Sequence, residues 1–148
     1  METYKLDFVE SVFPVLLTEE RRSGIPAELI FAQMCLESGY GQKAVDGNYF
    51  GIKGTGTAGS VNVGTHEEIN GISVSINDNF RAYNSMKESI EDYIDLLTNS
   101  YKQYTTTGTI EDWCDALVTG GYATDSEYKS KIKRVCIRWG LIEEEEHN

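Results

Sequence analysis

Ile25-Pro-Ala-Glu-Leu-Ile-Phe-Ala-Gln-Met-Cys-Leu-Glu-Ser-Gly39 is the stretch that decides how this chain folds. Proline suits the first position of a helix, where its missing N–H is no loss, and glycine suits the position just past the end. Pro26 and Gly39 therefore bracket one helix. At about 100° per residue, Glu37 falls on one arc with Ile30, Gln33 and Met34, and Leu29 and Leu36 extend that arc on one flank. Phe31, Ala32 and Cys35 cover the other flank. A helix so apolar around its circumference belongs in the middle of its domain. Glu28 points toward water, whereas Glu37 is aimed into apolar company. Apolar surroundings disfavour a charged carboxylate, and the negative end of the helix dipole opposes it as well. Both effects predict a Glu37 that holds its proton at higher pH, the property of a general acid. The competing reading is a glutamate that reaches out to water from a helix end.

Upstream, Phe8, Val9, Val12, Phe13, Leu16 and Leu17 recur at helical spacing between Lys5 and Arg22. Pro14 inside this run predicts a kink or two short helices. Downstream, Tyr40 to Ser60 is glycine-rich and without periodicity, a loop segment carrying Asn48-Tyr-Phe-Gly-Ile-Lys-Gly54. Gly54-Thr-Gly-Thr-Ala-Gly59 matches a dinucleotide fingerprint in form, but neither a strand before it nor a helix after it supports that reading.

Val61 to Ile76 reads as a β-hairpin about Asn70-Gly71, the strongest short hairpin signal. A two-residue turn pairs Ile69 with Ile72, Glu67 with Val74 and Thr65 with Ile76. Side chains alternate along a strand, so one face carries Val61, Val63, Thr65, Glu67, Ile69, Ile72, Val74 and Ile76. Glu67 is the charged residue on that apolar face, while Glu68 faces solvent. Three more helices follow. Ser85-Met-Lys-Glu88 is a capping box opening a helix to about Tyr101. Thr109-Ile-Glu-Asp112 opens another, ended by Gly120-Gly121. Asp125 is read as the N-cap of the last, which carries Tyr128, Ile132, Val135 and Trp139 and stops at Gly140.

A chain of 148 residues, 40% hydrophobic and 25% charged, is one domain with one buried core. We read residues 1–142 as that domain and 143–148 as an acidic, disordered tail. The net charge of −11 argues against nucleic acid and against docking on anionic membranes. The start, Met-Glu-Thr-Tyr-Lys-Leu-Asp-Phe, lacks a basic region, and Asp7 and Glu10 interrupt its apolar residues, so no signal peptide is expected. Cys35, Cys114 and Cys136 each fall in an expected helix and read as reduced, apolar side chains. Neither His66 nor His147 stands at zinc-ligand spacing, and no metal or other cofactor is expected. The fold expected is mostly helical α+β, with a small hairpin lobe and a cleft between that lobe and the central helix.

Glu37-Ser-Gly-Tyr-Gly41, Asn48-Tyr-Phe-Gly-Ile-Lys-Gly54, Thr65-His-Glu67, Phe80-Arg-Ala-Tyr83 and Gly121-Tyr-Ala-Thr-Asp125 follow one another in the chain. In this order they resemble glycoside hydrolase family 73, endo-β-N-acetylglucosaminidases that cut bacterial peptidoglycan. The resemblance runs from about Phe8 to Leu141 and implies a lysozyme-like fold. It also implies hydrolysis of the β-1,4 bond after N-acetylglucosamine. It makes Glu37 the general acid, Glu67 the second carboxylate and Tyr122 a neighbour of the scissile sugar. Tyr122 has an alternative role, its hydroxyl tying two loops together. Tyr40 stands where the family often has Trp and keeps an aromatic platform for a sugar face. Asn48, Phe50, Tyr83 and Thr124 complete the substrate-binding candidates, although Asn48 and Thr124 equally suit loop backbone groups. Phe50 and Ile52 also suit the role of core anchors, and Asp125 suits a cap better than a catalyst. The expected partner is a peptidoglycan glycan strand, and the expected state is a monomer acting at the bacterial cell wall. Without an export signal, the chain is expected to be phage- or virion-associated, released by lysis, or cut from a secreted protein. The competing functions are a muramidase or lytic transglycosylase cutting the neighbouring bond, and a non-catalytic wall-binding or assembly module.

Overall fold

The structure, a computed structural model, describes residues 2–144, with the backbone alone at Thr65, Glu67 and Glu68. Helix α1 (Thr3–Ser23) buries one stripe, Phe8, Val12, Leu16 and Glu19. Of the two outcomes expected at Pro14, a kink or two short helices, the second does not occur, since the chain runs through it as one helix. Pro14 and Glu10, whose carbonyl loses its helical partner, both lie on the exposed face, where water can take the missing bond. Gly24, with φ of 78°, ends α1 by donating its N–H to the Glu20 carbonyl. The Glu20 carboxylate then accepts from the N–H of Ala27 at 2.7 Å, so the first helix caps the second.

Helix α2 (Ala27–Ser38) is the buried axis. Leu29, Ile30, Phe31 and Met34 are wholly inaccessible, each burial being worth about 1.5–3 kcal/mol. Pro26 stands one residue before the helix rather than at its first position, and Gly39 closes it with φ of 56°. Leu36 and Glu37 are the residues of α2 that open to solvent. Glu28 is half-buried and burial raises its carboxyl pKa, which corrects the expectation that it faces water.

Strands β1 (Ser60–Ile69) and β2 (Ile72–Arg81) pair antiparallel with Ile69 opposite Ile72, Glu67 opposite Val74 and Thr65 opposite Ile76. Asn70 and Gly71 turn with φ of 52° and 79°, the double left-handed conformation of a tight hairpin. The ladder extends past Ile76 to Val63 opposite Asp78, Val61 opposite Phe80 and Ser60 opposite Arg81. It gains that length because the loop reaches its base: Arg81 donates to the Ile52 carbonyl, and Gly54 donates to that of Asn79, both at 2.9 Å.

Helix α3 (Met86–Leu96) begins at Ser85, whose hydroxyl accepts from the N–H of Glu88, and continues into a π-helical turn, Leu97–Tyr101. Helix α4 (Ile110–Thr119) is capped by Thr109 and packs Trp113, Cys114 and Leu117 inward. Helix α5 (Tyr128–Arg138) buries Tyr128, Ile132 and Cys136. Asp125 does not cap α5 directly, a correction to its expected role. Its Oδ1 accepts from the N–H of Glu127 and its carbonyl from that of Tyr128, forming a turn ahead of the helix. The three cysteines are free and buried. Among the described residues, no helix is long and apolar enough to cross a membrane, and no group of His, Cys, Asp and Glu is placed to hold a metal. The expected tail falls mostly on 145–148, outside the described residues.

Candidate active site

Glu37 stands where two hollows meet. One, about 360 Å³, lies toward α5 and is lined by Gln33, Glu37, Tyr122, Thr124 and Tyr128 among others. The other, about 200 Å³, lies toward the hairpin and is lined by Glu37, Lys43, Asn48, Gly51, Val63 and Phe80 among others. One carboxyl group therefore lines both hollows, which together form the candidate groove.

The groove walls exclude enough water that burial raises the Glu37 pKa, although the residue opens to solvent at the groove. The opposing influence is the Gln33 amide, whose Nε2 donates to Glu37 Oε1 at 3.1 Å and favours the anion. Gln33 is itself oriented from the last helix, because the buried Tyr128 hydroxyl donates to its Oε1. With its oxygen thus occupied, the amide turns its N–H toward Glu37. On the other side the loop presses close. A Cβ at Gly51 would stand 2.8 Å from Glu37 Oε2, and the φ of 63° there favours glycine in any case.

Tyr122 lines the α5-side hollow with Glu37. Its ring meets Tyr93 and Tyr101 edge-on, at 6.1 and 5.5 Å between centroids. Burial first, and then the Glu37 charge, raise its pKa, so it remains a neutral phenol with a proton to donate. The π-helical turn after α3 brings Tyr101 here, and Gly120 makes room, since a Cβ there would meet the Tyr101 ring at 2.7 Å. Thr124 is exposed in the same hollow.

The remaining candidates are engaged elsewhere. Asn48 lines the hairpin-side hollow, but its amide is spent on the loop. Its Nδ2 donates to the Ile52 carbonyl, and its Oδ1 accepts from the N–H groups of Phe50 and Ile52. Phe50 is core, stacked on Tyr93 at 4.1 Å. Tyr83 is buried with its hydroxyl on Asp92, which also holds Arg81 at 2.8 Å. Tyr40 is buried outside these two hollows, its hydroxyl accepting from Trp139 Nε1 at 2.8 Å and its ring packed near Phe8, Phe31 and Trp139.

Glu67 lies on β1 at the parity of Val63, the groove-lining residue, four positions further along. That is about 13 Å at the rise of a strand. The side chains of Glu67 and Glu68 lie outside the described residues. The longer ladder adds a carboxylate that the shorter hairpin reading missed. Asp78, opposite Val63, shares the parity of Phe80 and pairs with Lys53 at 3.0 Å. The Tyr128–Gln33 contact was also missed, since 95 positions separate the two residues.

A sequence profile of the family described as mannosyl-glycoprotein endo-beta-N-acetylglucosaminidase matches residues 14–141. The chain belongs to the glucosaminidase family. Peptidoglycan hydrolase FlgJ of Salmonella typhimurium is 39% identical over 130 residues, covering 80% of this chain and 41% of that protein. Exo-glucosaminidase LytG of Bacillus subtilis is 32% identical over 130 residues, covering 81% and 46%. The chain thus spans less than half the length of these relatives. A C-terminally truncated glycoside hydrolase domain of Salmonella typhimurium FlgJ superposes with a TM-score of 0.72 at 32% identity, covering 93% of this chain and 99% of that one. The catalytic domain of the Listeria monocytogenes autolysin Auto gives 0.77 at 30% identity, covering 95% and 87%. The glucosaminidase fold, lysozyme-like and mostly helical with one hairpin, is therefore the fold of this chain.

Proposed function

We propose that this glucosaminidase domain hydrolyses peptidoglycan at the β-1,4 bond that follows N-acetylglucosamine, at the bacterial cell wall. The observation that carries the reading is the position of Glu37, a carboxyl with raised pKa at the meeting point of two hollows. A glycan strand laid through both hollows presents a glycosidic oxygen to that proton. Glu37 donates it to the departing sugar as the bond to the anomeric carbon lengthens and positive charge develops on the ring.

Glu67, as the anion, is the second carboxylate. It stabilises that charge or activates the attacking water, and its distance along β1 requires the hairpin to bend in over the bound strand. Tyr122, held as a phenol beside Glu37, donates to the sugar at the cleavage point, and Thr124 binds a hydroxyl or acetamido group in the same hollow. Asn48 and Phe50 act by shaping the loop that carries Gly51, and Tyr40 and Tyr83 act by anchoring its ends. A second assignment is favoured by one observation, the parity and nearer position of Asp78, but its pairing with Lys53 leaves Glu67 the better choice.

Glu37→Gln is expected to lower the release of reducing ends from purified walls by about 10²–10⁴-fold while circular dichroism is unchanged; near-parental turnover removes the acid assignment. Mass spectrometry of the fragments tests the bond. Reducing N-acetylglucosamine ends support the reading, and reducing or anhydro-muramic ends replace it with the muramidase or transglycosylase alternative.

A further inference from the structure

The α5-side hollow continues between α2 and α5 into another, of about 240 Å³. The two share Leu36 and Lys131, and the second is walled by Tyr40, Arg134, Val135 and Arg138. Charge is unevenly placed around it. In a chain of net charge −11, α5 carries Lys129, Lys131, Lys133, Arg134 and Arg138 and no acid. The three lysines have carboxylate neighbours: Lys129 pairs with Asp115 at 2.8 Å, Lys131 with Asp125, and Lys133 approaches Glu111 at 3.9 Å. No ion pair occupies Arg134 or Arg138 among the described residues. They lie four residues apart on one face of α5, beside Leu36, which is 41% exposed on the mostly buried α2.

We propose that this hollow is an anionic subsite of the groove, taking a carboxylate of the peptide stem carried by the bound glycan strand. The inference rests on the peptidoglycan reading above. Two guanidinium forks suit carboxylates, which they bind through paired N–H donors. Exposed Leu36 offers an apolar floor to the small side chains of a stem. Continuity with the groove selects the occupant, since a stem is covalently tied to the sugars lying at Glu37. The subsite also offsets the repulsion between an acidic domain and an acidic wall.

The test measures binding in the Glu37→Gln background, so that turnover does not enter. Cell walls are first freed of phosphate polymers, and half are then stripped of peptide by an amidase. Adding Arg134→Gln and Arg138→Gln is expected to weaken binding to peptide-bearing walls about five- to tenfold, with a difference that shrinks as salt rises. On peptide-free glycan the two proteins are expected to bind alike, and the double Arg→Lys variant is expected to recover only part of the loss, since an ammonium keeps the charge but not the paired donors. Equal binding to peptide-bearing walls, an equal loss on peptide-free glycan, or no wall binding by the starting protein overturns the subsite. Failure of the hydrolase reading shows separately, as an unaltered protein that binds peptide-bearing walls yet releases no reducing ends.

Discussion

Glu37 is held between burial, which keeps its proton on, and the Gln33 amide, which draws it off. Removing the Tyr128 hydroxyl frees Gln33 to turn its oxygen toward Glu37 and accept the acid's proton, which favours the neutral form. Tyr128→Phe is therefore expected to move the basic limb of the kcat/KM profile to higher pH. A variant that merely loosens the fold lowers the profile without moving that limb. The same balance has a cost in stability. A carboxyl whose folded pKa lies above its unfolded value of about 4.3 contributes most to stability below that value, and the contribution is lost as pH rises through the raised folded pKa. Glu37→Gln is accordingly expected to have a higher Tm than the parent at neutral pH, a gain that vanishes under acid conditions. Thermal melts at pH 3.5 and 7 check this. The carboxyl itself was legible from the helical wheel, because its position on α2 follows from local periodicity. Its hydrogen-bond partner from α5 was not, because that contact is made only when the two ends of the chain pack together.

At the scale of elements, the hairpin register was readable because Asn70-Gly71 accepts the double left-handed turn and alternation fixes the rest. Its base was not readable, since what lengthens it is backbone bonding to the loop around Ile52 rather than a pattern within the strands. That added length makes Asp78 a rival to Glu67, so the three hairpin acids form a natural series. Glu67→Gln is expected to lose about 10²-fold or more of wall-cleaving activity, Glu68→Gln little, and Asp78→Asn less than Glu67→Gln. A larger loss in Asp78→Asn moves the second carboxylate down the strand. A larger loss in Glu68→Gln means that the working face is the other one. The helix caps at Ser85 and Thr109 were legible for the same local reason as the turn. The break into two helices, one of the two outcomes expected at Pro14, is absent because the effect of a proline depends on which face of α1 meets water.

Across the whole molecule, the core was predictable from α2 outward, since a helix apolar nearly all round has to be enclosed by its neighbours. The fate of Tyr40 was not predictable. Its partner Trp139 comes from 99 positions away, and the pair turns a candidate sugar platform into packing. The same enclosure seals the thiols. Burial pushes Cys114 and Cys136 up to about 12 and Cys35 higher still. At pH 8 the native protein is expected to react with a thiol reagent many-fold more slowly than the denatured protein, which should titrate all three cysteines; rapid native labelling contradicts this packing.

The foot of the hairpin is fixed by main-chain bonds, Arg81 to Ile52, Ala82 to Gly59 and Tyr83 to Asp46, whose donors and acceptors every residue type but proline can supply. An arm fastened in this way tolerates new sequence over much of its outer length, provided the register and Glu67 are kept, without disturbing Glu37 beneath it. On the mechanism proposed above, variation in the arm retunes the grip on a glycan strand and leaves the Glu37 proton donor as it is.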